Sequence, residues 1–332
     1  MNLQRELSKL SDVTRLRALE ATLRRQNNWP QLEELRDARH KGVSHKWLWH
    51  LDFRTGTVLA ECDYIFNVQR RLGACIMQSE VVCRLCGKTV DAQLLHGECC
   101  DTAGATRGHY AVVRAVVGGL KLADAGVSTE PRGLTTTRSR PADILTTAAV
   151  PGRSAALDVC VASPNASAAA GDAAEAAFKR KLRRYRREIP QLAAAGISFR
   201  PLVWTTAGRP HPAVTRTLRY AASLAASRSD TGADAKSLLS RWGHEIQTAL
   251  LRRRAAMARA VLPRISARDE WLLTGFAGGT PDGEHKAAPL DDEPGPEEEH
   301  SEPQEAEAPS DNSDMELATA SSERAVDMDT GM

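Results

Sequence analysis

The chain has 332 residues, enough for one or two domains, and no apolar run reaches the ~18 residues of a membrane-spanning helix. Residues 281–332 contain 17 acidic side chains against Lys286 and Arg324, so residues 1–280 carry +17 within a chain of net charge +2. Four of the seven cysteines lie between Cys83 and Cys100, which argues against a disulfide scaffold and favours a reducing compartment, nucleus or cytoplasm. The basic body predicts DNA, or RNA, as a partner; a plain solvated surface is the alternative.

Residues 1–80 are predicted to form a helical N-terminal segment. Leucines recur at spacings of three and four in residues 3–27, which is the pattern of an amphipathic helix, and another helix is expected from Asp63 to Leu72. Trp47 and Trp49 lie between these two helices. Because large aromatic side chains usually pack in a core, packing is the expected role of both, and stacking on nucleic-acid bases is the alternative.

Residues 81–104 contain four potential metal ligands in the order Cys83, Cys86, His96 and Cys100. The spacing Cys-x2-Cys-x9-His-x3-Cys is typical of a structural zinc site, since thiolates and imidazole bind this ion tetrahedrally. Cys99 is the alternative fourth ligand, but His-x3-Cys places His96 and Cys100 on one helical face. His109 is a weaker candidate, expected at a helix start in contact with this segment or with solvent. The segment is therefore predicted to be a CCHC zinc knuckle.

Residues 105–226 show an α/β rhythm, and the order of the predicted elements is helix, three strands, helix and strand. The expected elements are a helix over 107–125, strands at 127–130, 140–147 and 155–162, a helix over 168–195 that Pro190 breaks, a strand at 197–205 and a helix over 211–226. This order predicts a small α/β core with a mixed sheet.

The C-terminal third divides into two predicted parts. Residues 227–275 include a basic helix over about 234–262, which carries Arg252, Arg253, Arg254 and Arg259. Residues 276–332 are rich in Glu, Asp, Pro and Ser and contain few apolar side chains. Such a segment buries too little surface to offset its ordering entropy, so an intrinsically disordered acidic tail is expected.

Two aspartates on successive predicted strands indicate a second metal site. Asp143 lies at the start of one strand, and Asp158 lies inside the next, between Leu157 and Val159. Because side chains alternate along a strand, Leu157 and Val159 would face the core while Asp158 and Cys160 face the other side. Oxygen ligands of this kind are typical of catalytic magnesium sites. Glu130, on the preceding strand, is a third acid that either assists or is merely exposed before Pro131.

The helix after Asp158 is strongly basic. Its cationic residues are Lys179, Arg180, Lys181, Arg183, Arg184, Arg186 and Arg187. Lys181 and Tyr185 are four residues apart and share a face, so Lys181 is the predicted catalytic lysine, with Lys179 as the alternative. The other cations are expected to contact the DNA backbone or solvent.

Taken in order, these motifs resemble the C-terminal part of site-specific non-LTR retrotransposon proteins. The likeness covers roughly residues 70–204 and rests on the Cys/His spacing, Arg140-Pro141-Ala142-Asp143, the Asp158-Val159 strand and the Lys181-x3-Tyr185 helix. That family carries a CCHC zinc knuckle and a restriction-like endonuclease of the PD-(D/E)xK superfamily. The resemblance implies that Asp143 and Asp158 are the metal-binding acids and that Lys181 is a lysine placed on the helix.

The chain also departs from this family. Ala142 separates Pro141 from Asp143, Cys160 stands where the usual strand lysine is expected, and the chain contains no Tyr/Phe-x-Asp-Asp polymerase box. The predicted function is therefore a DNA-nicking endonuclease, with structural zinc and catalytic magnesium, in a retrotransposon-derived protein without its own reverse transcriptase. The alternative is a catalytically inactive zinc-knuckle module that binds nucleic acid.

Overall fold

A computed structural model of the chain describes residues 3–50, 56–100, 102–103, 105–136, 139–166, 172–228 and 232–263. The predicted acidic tail, together with the last residues of the predicted basic helical segment, lies outside the described residues. Within these ranges the protein is a mixed α/β structure with two sheets, as the sequence predicted. No helix of the described part is long and apolar enough to cross a membrane.

The N-terminal segment is helical. It contains α1 (Leu3–Arg25), α2 (Trp29–Arg39), a 3-10 turn (Lys46–Leu48) and α3 (Glu61–Leu72). Asn28 caps α2, since its side chain accepts a hydrogen bond from the Gln31 N–H, and Pro30 occupies the first turn, where no intrahelical donor is needed.

The next segment is a small hairpin followed by a tight turn. Strands β1 (Val81–Val82) and β2 (Thr89–Val90) pair antiparallel, and a 3-10 turn follows at Leu95–Glu98. Gly87 closes the hairpin with φ of +73°, a left-handed conformation that favours glycine. We call residues 81–100 the hairpin segment.

The rest of the described chain forms a four-stranded sheet with helices on both faces. Its elements are α4 (Ala105–Leu120), β3 (Ser128–Thr129), β4 (Ile144–Val150), β5 (Arg153–Ala162), α5 (Ala173–Arg184), α6 (Glu188–Ala194), β6 (Ile197–Thr205), α7 (Pro212–Arg228) and α8 (Ala235–Val261). The strand order is β3-β4-β5-β6; the first three strands pair antiparallel, whereas β5 and β6 pair parallel.

The elements follow the predicted order, with one additional helix. The helix expected over 168–195 is two helices, α5 and α6, and the interruption lies at Tyr185–Arg187 rather than at Pro190. Pro190 instead occupies the first turn of α6, where its missing N–H costs no helical hydrogen bond.

The two faces of the sheet have different partners. Leu157 and Val159 are buried in the main core with side chains of α4, α7 and α8. Cys160 packs on the opposite face against Ala174 and Ala177 of α5. The predicted alternation along β5 is therefore confirmed, and it directs Asp158 toward the α5 side.

An ion-pair chain fastens α2 to this core. Arg209, just after β6, bonds to the buried carboxylate of Asp37 on α2 and to Asp172, the N-cap of α5, at 2.9 Å from Nη1 to Oδ2. Burial raises the pKa of Asp37 despite the neighbouring Arg209. Arg209 thus links α2 to the N-terminus of α5.

Candidate functional site

The four predicted ligands of the hairpin segment converge. One ligand atom from each of Cys83, Cys86, His96 and Cys100 lies within 4.8 Å of all the others. The Sγ atoms of Cys83 and Cys100 are 3.9 Å apart, close to the ~3.8 Å that two 2.3 Å zinc–sulfur bonds produce in a tetrahedron. We call these residues the Cys/His cluster; it could hold a metal ion, and its donor set is compatible with zinc.

The fourth member of the Cys/His cluster is Cys100 and not Cys99. The Cys99 thiol points away from the cluster and donates a hydrogen bond to Ser163 Oγ at 3.4 Å. The Cys100 thiol is buried beside Cys83. Backbone geometry decides between the two neighbours, because the 3-10 turn at Leu95–Glu98 directs consecutive side chains to different sides.

Asp91 shapes the turn that presents His96, a role that the Cys/His spacing does not reveal. Its Oδ1 accepts hydrogen bonds from the N–H groups of Gln93 and Leu95 at 2.9 and 3.2 Å, and its Oδ2 accepts from the His96 N–H at 3.2 Å. An aspartate that caps its own following turn is a recognisable local motif. This signal was available in the sequence.

Hydrogen bonds to the Cys83 sulfur favour its thiolate form. Burial raises its pKa, but hydrogen bonds from the N–H groups of Cys86 and Leu85 outweigh that effect and bring the pKa to about 6. Since the thiolate is the form that binds metals, a lowered pKa favours ligation near neutral pH.

A buried carboxylate anchors the hairpin segment to the rest of the protein. Glu98 Oε1 accepts from Arg254 Nε at 2.6 Å and from Arg70 at 3.2 Å, while its Oε2 accepts from the hydroxyls of Thr206 at 2.6 Å and Ser163 at 3.2 Å. Burial raises the pKa of Glu98, but Arg254 and Arg70 reverse this and lower it to about 2. Glu98 therefore joins the hairpin segment to α3, α8 and the sheet.

The acids predicted on the three antiparallel strands lie side by side along the backbone. The N–H of Glu130 donates to the carbonyl of Asp143 at 2.8 Å, and the N–H of Asp143 donates to the carbonyl of Leu157 at 2.9 Å. The Asp143 carboxylate accepts from the N–H of Val159 at 2.6 Å. Asp143 is thereby held next to the strand position that carries Asp158.

Asp158 is buried on the α5 side of the sheet and contacts the predicted lysine. Its Oδ1 lies 3.0 Å from Lys181 Nζ. Its Oδ2 is buried and has no hydrogen-bond partner among the described residues. Burial raises the pKa of Asp158 to about 6; the charge of Lys181 opposes this shift and that of Asp143 adds to it. The site thus contains a buried carboxylate of which one oxygen is hydrogen-bonded and the other is not.

Lys181, and not Lys179, belongs to this site. Lys179 is exposed and pairs with Glu175 on its own helix at 3.3 Å. Burial lowers the pKa of Lys181, but the Asp158 carboxylate more than offsets this, so the pKa is raised and the ammonium stays charged. Tyr185 is buried next to it, with its ring centroid 5.8 Å from Lys181 Nζ. We call Asp143, Asp158 and Lys181 the acidic site.

His109 also contacts the acidic site, contrary to the expected position beside the zinc ligands or in solvent. Its Nε2 lies 3.2 Å from Asp143 Oδ1. No local pattern signalled this contact, because the partner lies 34 residues further along the chain. This contact places an imidazole beside the carboxylate of Asp143.

Glu130 contacts the acidic site through its backbone N–H, whereas its side chain interacts with Tyr110. A hydrogen bond with the Glu130 side chain raises the pKa of the Tyr110 phenol. Across the described ranges, the Cys/His cluster is the one group of three or more His, Cys, Asp or Glu side chains arranged to hold a metal ion. Glu130, Asp143 and Asp158 do not form a preorganised set of three ligands in this structure.

A scan of the chain against protein-family models gives no match, and a comparison with curated protein sequences also gives none. The resemblance to retrotransposon endonucleases therefore stays a prediction. Function has to be inferred from the geometry of the Cys/His cluster and the acidic site.

Proposed function

We propose that this protein is a magnesium-dependent DNA endonuclease that nicks its substrate, with the Cys/His cluster holding structural zinc. One observation carries the proposal: Asp158 is buried with Lys181 on one oxygen and no partner on the other. Buried carboxylates with a raised pKa beside a charged partner are found at functional sites.

The proposed magnesium ion requires carboxylate oxygens as ligands. Asp158 Oδ2 is an unpartnered buried oxygen, and the neighbouring Asp143 carboxylate supplies further oxygen atoms of the kind that magnesium prefers. Asp143 and Asp158 would hold the ion. When bound, it would polarise the scissile phosphate and lower the pKa of a water molecule.

Lys181 would act on the substrate phosphate. Its ammonium group is charged, is held by Asp158 and lies near the ring of Tyr185. A fixed cation at this point can stabilise negative charge that develops on the phosphate oxygens. Arg180, Arg183 and Arg184 are exposed on the same helix, and they would bind the DNA backbone in a salt-dependent manner.

His109 and Asp143 form the second pair of the acidic site. The imidazole is positioned to exchange a proton with a group bound at the Asp143 carboxylate. Glu130 would assist only through its backbone hydrogen bond to Asp143, since its side chain interacts with Tyr110.

The element order supports the same proposal. The protein has a helix, three antiparallel strands, two helices and a parallel fourth strand. Asp158 lies on β5, Asp143 lies directly before β4, and Lys181 lies on the helix that follows β5, an order that the resemblance to restriction-like endonucleases implies. DNA, or alternatively RNA, would be the partner.

A plasmid-nicking assay tests the proposal. Purified protein with magnesium should convert supercoiled plasmid to the open-circular form, and Asp158→Asn or Lys181→Met should reduce the rate by about 100-fold or more. Lys179→Met is the matched control on the same helix and should retain the rate at saturating protein, because Lys179 pairs with Glu175 away from the acidic site. Equal nicking by wild type and Asp158→Asn would refute the proposal.

The second candidate is a nucleic-acid-binding module without catalysis. Two observations favour it: Lys181 already neutralises Asp158, and the acids do not form a three-ligand set among the described residues. This candidate predicts salt-sensitive DNA binding that survives Asp158→Asn, with no magnesium-dependent nicking by any variant.

A further inference from the structure

A large cavity lies on the face of the sheet opposite to Asp158. Its volume is about 810 Å³, within the range of about 300–1,000 Å³ that is typical of organic-ligand sites. Trp204 of β6 contributes to its wall and belongs to the same core as Leu157 and Val159, whereas Asp158 faces α5. The loop after α2 and the helices α7 and α8 complete the walls.

Every ionisable side chain that lines this cavity is basic. The lining includes His40 and His45 and the five cations Lys41, Lys46, Arg216, Arg219 and Lys236, and it contains no Asp or Glu. Within the described ranges none of these five cations forms an ion pair with a carboxylate. The cavity therefore presents uncompensated positive charge, which is complementary to a polyanion.

The cavity also combines an apolar floor with an exposed aromatic side chain. Val43, Leu218 and Ile246 are buried beneath it. Trp49 is 65 % exposed at the cavity, whereas Trp47, two residues earlier, is 6 % exposed. The expectation that both tryptophans pack in a core is thus right for Trp47 and wrong for Trp49. An exposed indole beside unpaired cations is the arrangement that stacks nucleic-acid bases.

We propose that this cavity binds a short segment of single-stranded nucleic acid, with one base stacked on Trp49 and the adjacent phosphates bound by Arg219 and Lys236. A single strand is favoured over a duplex because stacking on an aromatic side chain requires an unpaired base face. The site is separate from the acidic site, so binding here neither requires nor implies cleavage.

The test measures binding without added magnesium, by fluorescence anisotropy of a fluorescein-labelled oligo-dT of about twelve nucleotides. Trp49→Ala should weaken binding about tenfold, the order expected when one base–aromatic stack is removed. Trp29→Ala is the matched control, because Trp29 is 53 % exposed at a smaller cavity that also contains Glu33 and Asp91. It should leave the affinity within about twofold of wild type.

A second pair of variants distinguishes the effect of the charge at the cavity from the effect of the total charge of the protein. Arg219→Gln combined with Lys236→Gln should reduce the salt dependence, by about 0.7 in the slope of log K against log salt for each phosphate that the protein no longer neutralises. The control, Arg36→Gln combined with Arg241→Gln, removes the same charge from side chains that pair with Glu33 and Glu245, and it should change the slope little. All four positions are exposed, so folding is not at risk.

Three results would overturn the proposal. The first is that Trp49→Ala and Trp29→Ala weaken binding equally. The second is that the matching duplex binds as tightly as the single strand, or more tightly. The third is that polyglutamate displaces the oligonucleotide at equal charge concentration. The last result would identify an acidic protein segment as the ligand. Because no magnesium is present, none of these outcomes bears on the proposed nicking reaction.

Discussion

Glu98 and Asp158 are both buried carboxylates, and their surroundings differ sharply. Glu98 accepts hydrogen bonds from Arg254 and Arg70 and from two hydroxyls, and its pKa is lowered to about 2. Asp158 contacts Lys181 through one oxygen only, and burial raises its pKa to about 6. Both oxygens of Glu98 therefore accept hydrogen bonds, whereas one oxygen of Asp158 accepts none.

This difference distinguishes the structural role of Glu98 from the role proposed for Asp158. A carboxylate whose oxygens all have strong donors has no capacity left for a ligand, so it serves to fix the elements around it. A carboxylate that stays under-satisfied in the free protein can bind a cation or hold a proton. We therefore assign Glu98 to the scaffold and Asp158 to the proposed chemistry.

The largest expected effect tests the structural side of this comparison. Glu98→Ala would leave Arg254 and Arg70 buried with Glu34 as their remaining carboxylate, and breaking such a network typically costs about 3–5 kcal/mol. Urea denaturation followed by circular dichroism measures this loss. Glu33→Ala, at the residue next to Glu34, removes an acid whose partner Arg36 is exposed and should cost less than about 0.5 kcal/mol. A cost below about 1 kcal/mol for Glu98→Ala would show that the buried network is not structural.

A second prediction concerns the Cys/His cluster. Cys100→Ser should weaken zinc binding by at least about 100-fold, since removal of an outer hydrogen-bond partner alone costs about 10- to 100-fold. Cys99→Ser should keep wild-type affinity, because that thiol bonds to Ser163 rather than to the cluster. Competition with a chromogenic zinc chelator measures both. Equal weakening in the two variants would contradict the assignment of Cys100.

The smallest effect concerns the pH dependence of stability at Asp158. Because its folded pKa of about 6 lies above the unfolded value, the folded state holds this proton more tightly than the unfolded chain. Wild-type stability should therefore fall as the pH rises from about 4 to 6, by roughly 2–3 kcal/mol, and this decline should be absent in Asp158→Asn. Denaturation without magnesium, at several pH values, measures the difference.

Asp12→Asn serves as the control for that experiment, because Asp12 is exposed on α1. It should follow the wild-type pH profile. A decline that persists unchanged in Asp158→Asn would show that Asp158 is not the group that titrates.

Local patterns predicted the features that depend on nearby residues. The ligands of the Cys/His cluster all lie within one short segment, and the alternation along β5 separated Leu157 from Asp158 correctly. The position of Lys181 followed from a helix that comes directly after the strand. In each case the spacing along the chain determines the geometry.

Features that depend on distant residues could not be predicted in this way. The donors to Glu98 lie 28, 65, 108 and 156 residues away, so no periodicity signals their convergence. The contact between His109 and Asp143 is of the same kind. The opposite exposures of Trp47 and Trp49 depend on the 3-10 turn at Lys46–Leu48, which the composition did not indicate.

Glu98 lies between two ligands of the Cys/His cluster and bonds to residues of α3, α8 and the loop after β6. The hairpin segment is therefore not an exchangeable module. A gene fusion or recombination event that transplanted residues 81–100 alone would leave Arg70 and Arg254 with Glu34 as their remaining carboxylate in the donor, and Glu98 without either arginine in the recipient. Glu98 and Glu34 together balance the charges of Arg70 and Arg254, so the hairpin segment and the rest of this network should evolve as one unit.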